Sequence, residues 1–104
     1  MITANGLKDL VVKYLNLQGH AAWRQVNTTV RGRVNIVHKG VGDVMCVCKG
    51  NGRHLEVEIK VDKDEQSDDQ KKHQKWIEDR GGVYVVARDF DEFVQWYNKH
   101  RREL

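Results

Sequence analysis

The chain has 104 residues, 39% hydrophobic and 32% charged, enough apolar material for one compact core and too little for two. No apolar run of about 18 residues is present to span a bilayer, and the first residues lack the basic, apolar and small-residue order of a secretory signal, so the expectation is a soluble, cytoplasmic, single-domain protein. The formal charge is +3, yet residues 1–60 hold nine Lys/Arg against four Asp/Glu while residues 61–104 hold nine against eleven, which puts the basic excess that attracts polyanions in the first part.

Residues 3–17 place Leu7, Leu10, Val11, Tyr14 and Leu15 at the three-and-four spacing of an amphipathic helix, and Gly19 ends it. Residues 20–27, with Ala22, Trp23 and Val26, read as a short strand, and residues 28–40 as a polar basic loop. Residues 43–49 form an apolar, β-branched run and residues 53–61 alternate strictly, with Gly50, Asn51 and Gly52 between them. That pattern predicts a hairpin with Asn51-Gly52 as a two-residue type I′ turn. A charged connection follows; Ser67 or Asp68 can cap a helix running to about Arg80, stopped by Gly81 and Gly82. Residues 83–87 then make a short strand buried on both faces. Asp89 with Glu92 forms a capping box for a last helix that presents Phe90, Phe93, Val94 and Tyr97.

The hairpin carries the chemistry. A two-residue turn sets Asp43 opposite Lys60, Met45 opposite Glu58 and Val47 opposite Glu56, and it gathers Val44, Cys46, Cys48, Leu55, Val57 and Ile59 on the other, core-facing side. Asp43, Glu58 and Lys60 then converge on one face. Two adjacent carboxylates repel unless a cation or proton intervenes, so the arrangement suits a hard divalent ion such as Mg²⁺ or Mn²⁺. Such an ion beside a phosphodiester lowers the pKa of a bound water, and Lys60 can orient or deprotonate that water or stabilise the transition state. The competing reading is a solvated strand face, with Asp43 a turn residue after Gly40 and Gly42. Cys46 and Cys48, two apart on one strand, read as small buried apolar residues; zinc would need more ligands, and the nearest histidine, His54, falls on the opposite face.

Taken together, Gly40-Val41-Gly42-Asp43, the hairpin, Glu58-Ile59-Lys60 and Ser67-Asp68-Asp69-Gln70 opening a helix resemble the VRR-NUC nucleases of the PD-(D/E)xK superfamily. The resemblance extends to Trp23-Arg24 and to Gly81-Gly82-Val83-Tyr84-Val85-Val86. It implies an α/β fold of restriction-endonuclease-like αβββαβα order, with a mixed central sheet flanked by helices. It implies that Asp43, Glu58 and the Ile59 carbonyl bind the metal, that Lys60 is catalytic, and that Gln70 approaches the site, although Gln70 could instead cap its helix. The activity implied is Mg²⁺- or Mn²⁺-dependent hydrolysis of DNA, branched DNA in particular, by a possible homodimer; the alternative is a noncatalytic nucleic-acid-binding module of the same fold. Gly42 stands where the family often has proline, and Ala4, with Asn5 beside it, where related nucleases often have a glutamate. Asp9 is no obvious substitute, since it projects away from the apolar stripe.

Arg24, Arg31, Arg33 and Lys39 precede the hairpin and are candidates for phosphate contact, or an ordinary solvated loop. Trp23, Trp76 and Trp96 read as packing aromatics and His73 as a surface histidine.

Overall fold

The structure is a computed structural model that describes residues 2–26 and 40–104. Thr3 starts α1 (Ala4–Leu17): its backbone is extended and its hydroxyl accepts the Gly6 N–H at 3.0 Å. Leu7, Val11 and Leu15, four apart, form the buried stripe, while Leu10 falls at its edge and is exposed. Gly19, at φ +98°, turns the chain into β1 (Ala21–Arg24). β2 (Val44–Val47) and β3 (His54–Ile59) form the hairpin, α2 (Asp68–Asp79) crosses over, and β4 (Val83–Ala87) leads into α3 (Phe90–His100), whose Asp89 cap accepts the Glu92 N–H at 2.7 Å.

The result is an α/β fold built on a four-stranded open sheet in the order β1-β2-β3-β4, antiparallel except for the parallel β3–β4 pair. α1 and α3 cover one face, where Leu7, Val11, Leu15, Phe93 and Tyr97 pack on Val44, Cys46, Leu55, Val57 and Val85. α2 covers the other, laying His73 and Ile77 over the β3–β4 side. Among the described residues, no helix is long and apolar enough to cross a membrane.

The hairpin turn differs from the two-residue expectation. Cys48 donates its N–H to the Arg53 carbonyl at 2.9 Å and accepts the Gly52 N–H at 2.8 Å, so residues 49–52 form a four-residue loop. A type I′ turn requires positive φ at both central residues. Gly52 supplies it at +72°, but Asn51 does not; its side-chain oxygen instead accepts the Arg53 N–H at 2.9 Å, an Asx-type closure that draws in two more residues. The register therefore pairs Met45 with Glu56 and Val47 with His54, rather than Met45 with Glu58 and Val47 with Glu56. A slip of two leaves every side chain on its expected face, whereas a slip of one would have reversed them all.

Candidate functional site

Asp43 does not face Lys60 across a ladder. It lies just before β2, where its N–H reaches the Val57 carbonyl at 3.0 Å, the residue that Val44 already faces. Two residues opposing one end the regular pairing there. The Asp43 carboxylate takes the place of a strand partner for β3, accepting the Ile59 N–H at 2.8 Å through Oδ2. Because the N–H and C=O of a strand residue face the same edge, the Ile59 carbonyl also lies on the edge toward Asp43.

Glu58, only 3% exposed, comes within hydrogen-bonding reach of Asp43. Burial pushes its carboxyl up to about 7, the Asp43 charge adds to the shift, and Lys60 opposes it. Around it, Lys60 Nζ lies 3.6 Å from Oε1, the Gln70 amide donates to Oε1 at 2.8 Å, and the Tyr84 hydroxyl donates to Oε2 at 3.4 Å. Gln70 does both things the sequence allowed. Its amide oxygen accepts the Ser67 N–H at 2.8 Å while Ser67 Oγ accepts the Gln70 N–H at 3.2 Å, a complete capping box, and this leaves the amide nitrogen aimed at Glu58.

Asp43, Glu58, Ile59, Lys60 and Gln70 are thus brought together at the end of β2 and β3. Two adjacent carboxylates and a backbone carbonyl are hard oxygen donors, and a carboxyl raised by burial and by a neighbouring carboxylate is one that a divalent cation would ionise. The donor set fits Mg²⁺ or Mn²⁺.

The sequence reading missed Lys8. Its Nζ lies 3.5 Å from Asp43 Oδ1, approaching from α1. The signal was available, since Lys8 stands four residues after Ala4, one helical turn further along the same face. Tyr84 was missed because nothing in a single strand says what its hydroxyl meets across the sheet.

His73 is buried, contrary to its reading as a surface histidine, and donates to the Glu56 carboxylate at 2.8 Å from Oε1. His54 donates to the same carboxylate at 2.6 Å and the Gly42 N–H at 2.9 Å. A proline at position 42 would lack that N–H, so glycine there has a role beyond backbone stiffness. Gly40 serves the same approach: its φ is +80°, and a Cβ would stand 2.2 Å from the Asp69 carbonyl, so only glycine lets this loop lie against the start of α2.

Arg24 is tied to α1, donating to Asp9 Oδ1 at 3.1 Å and to Asn5 Oδ1 at 2.9 Å, so Asp9 is a partner of Arg24 rather than of the carboxylate pair. Arg31, Arg33 and Lys39 lie outside the described residues. Of the tryptophans, Trp96 packs against the core and stacks between Phe93 and His100; Trp23 and Trp76 are exposed, the latter beneath the Arg80 guanidinium.

The nearest histidine to the cysteines is His20, not His54. The β1–β2 register continues to set His20 opposite Cys48, and the ligand atoms of His20, Cys46 and Cys48 lie within 4.8 Å of one another. Both ring nitrogens of His20 are already engaged in hydrogen bonds. His20 Nδ1 spends its lone pair on the Lys49 N–H at 3.1 Å, and Nε2 bonds the Tyr97 hydroxyl at 2.8 Å. Burial, with the neighbouring Cys48, pushes the Cys46 thiol up to about 12, burial raises Cys48, and burial lowers His20. The pairing escaped the sequence because β1 and β2 are separated by a long connection that fixes no register.

Comparison with protein-family models, curated proteins and solved structures finds no match to the chain.

Proposed function

We propose that the chain is a metal-dependent nuclease of the VRR-NUC kind, with a restriction-endonuclease-like arrangement of its α/β core, that hydrolyses phosphodiester bonds in DNA. The observation that carries this reading is the convergence of Asp43, Glu58, Lys60 and Gln70 on one point, with Glu58 raised to about 7 by burial and by Asp43. As pure structure the contact between two acids is costly; as a cation site it is productive.

Asp43, Glu58 and the Ile59 carbonyl would hold Mg²⁺ or Mn²⁺, which supplies an acidified water and offsets charge on the phosphate. Lys60, just past the end of β3 and 3.6 Å from Glu58, would hold its ammonium where it orients the attacking water and stabilises the charge that builds on phosphorus-bound oxygen. Gln70 fixes the orientation of Glu58 through its amide, with its own side chain clamped by the capping box. Position is thereby delivered by α2 and charge by the hairpin. Branched DNA is the proposed substrate, cut by a symmetric dimer; a strictly monomeric active species in light scattering would remove the dimer.

The test incubates branched, flap and linear DNA with Mg²⁺ or Mn²⁺ and compares the wild-type chain with Lys60→Ala. Products that require the metal and disappear in the variant are expected. DNA binding without any metal-dependent product would leave a noncatalytic nucleic-acid-binding module in its place.

A further inference from the structure

The two carboxylates are flanked by two ammonium groups. Lys60 Nζ stands 3.6 Å from Glu58 and Lys8 Nζ stands 3.5 Å from Asp43, each side chain partly shielded from solvent. From this geometry we infer that Lys8 is a second phosphate-holding residue of the site and that the site takes one divalent ion per chain. The inference rests on the nuclease reading and specifies how that site is loaded.

Lys8 is held there by more than its own ion pair. Leu7, Val11 and Leu15 fix the rotation of α1 against the sheet, and Asn5 and Asp9 grip Arg24 of β1. The residue after Arg24 then ties β1 to the site, Gln25 donating its N–H to the Asp43 carbonyl at 2.9 Å. Position 8 therefore faces Asp43 through anchors independent of the ammonium.

Charge decides the number of ions. Two carboxylates and two ammonium groups sum to zero when both acids are ionised, and one divalent ion leaves +2 against a phosphodiester of −1. A second ion would leave +4. Among the described residues the next carboxylate on this face, Glu56, is already occupied by Gly42, His54 and His73. A cation held by Asp43 would repel Lys8 from it, and the flexible lysine stem would let the ammonium turn to a phosphate oxygen of a bound strand. An exposed ion pair with no other task would contribute little to the fold.

The test uses the full chain with Lys8→Met, Lys8→Arg and, as a control of equal charge loss, Lys13→Met on the exposed side of α1. Mn²⁺ titration without DNA is expected to give one ion per wild-type chain, bound about tenfold more tightly by Lys8→Met because a repelling charge is gone. Under saturating Mn²⁺, single-turnover cleavage by Lys8→Met is expected to slow about a hundredfold, with Lys8→Arg recovering most of the rate and Lys13→Met unaffected. Two Mn²⁺ per chain, unchanged Mn²⁺ affinity in Lys8→Met, or cleavage by Lys8→Met at the wild-type rate would each overturn the inference while leaving a cutting wild-type enzyme intact. A wild-type chain that cuts no DNA would instead defeat the nuclease reading, and this inference with it.

Discussion

Glu56 and Glu58 sit two apart on β3, point to the same face, and are 1% and 3% exposed. Their surroundings differ in kind. Glu56 accepts hydrogen bonds from the Gly42 backbone and from the His54 and His73 imidazoles, so donors reach it from the loop before β2, from β3 and from α2. Glu58 meets the Asp43 carboxylate and is pushed up to about 7. Both are buried, but Glu58 meets a second carboxylate besides its donors Lys60, Gln70 and Tyr84, and burial and that carboxylate together raise it. Glu56 is a structural tie between the loop before Asp43 and the helix that carries Gln70. Glu58 shares its place with a second carboxylate, with Lys60 and Gln70 beside it.

The sharpest way to break this contrast is to neutralise each residue and ask which property falls. Glu58→Gln and Asp43→Asn are each expected to cut DNA cleavage about a thousandfold while leaving the fold intact, which circular dichroism and single-turnover kinetics would establish. Glu56→Ala should do the reverse. It strands the buried Gly42 N–H and removes an acceptor of buried His73 and exposed His54, a loss of about 1–3 kcal/mol that denaturant titration would read. A loss below about 1 kcal/mol in Glu56→Ala would dissolve the distinction.

A second measurement uses pH. The folded Glu58 value of about 7 lies above its ordinary 4.5, so between these limits the unfolded chain has released the proton that the folded chain still holds. Stability of the metal-free protein therefore falls as pH rises through that window, by about 3 kcal/mol at most, and levels off above it. Glu58→Gln removes this fall, so the two proteins should diverge between pH 5 and pH 8. Parallel stability profiles would show that neither burial nor Asp43 raises Glu58. Added Mn²⁺ should also flatten the wild-type profile, because the ion takes the proton's place.

How much of this was legible beforehand follows from what each inference depended on. An even-numbered loop kept the paired residues of the hairpin on their expected faces, four residues serving as well as two, while Asp43 reaches the site from just outside the ladder. Side-chain parity therefore survived an incorrect turn type. The exact pairing did not, because Asn51 closes the loop with its side chain rather than with positive φ. Local signals also placed the helices, whose caps at Thr3, Ser67 and Asp89 lie where their residue types favour them. What could not be read were partners brought by distant elements. His73 meets Glu56 and His20 meets Cys48 through helix docking or strand pairing across long connections, which no local periodicity encodes, whereas the helical face shared with Ala4 did point to Lys8.

The smallest expected effect tests how Glu58 is held. Ser67 caps α2 and, in doing so, receives the Gln70 backbone and returns its own N–H to the Gln70 amide oxygen. Ser67→Ala removes the hydroxyl half of that exchange, with a cost of about 1 kcal/mol in unfolding. The consequence of interest is local: the first turn of α2 loosens, and the amide that donates to Glu58 at 2.8 Å loses its clamp. A positioning role predicts a modest fall in turnover, about tenfold, with Mn²⁺ affinity little changed, since neither carboxylate is touched. Glu56 should be indifferent to the same change, because its donors come from Gly42, His54 and His73 and none depends on the cap. If Ser67→Ala lowered stability and left turnover at the wild-type value, Gln70 would be a capping residue only, and Glu58 would owe its orientation to Asp43 and Lys60 alone.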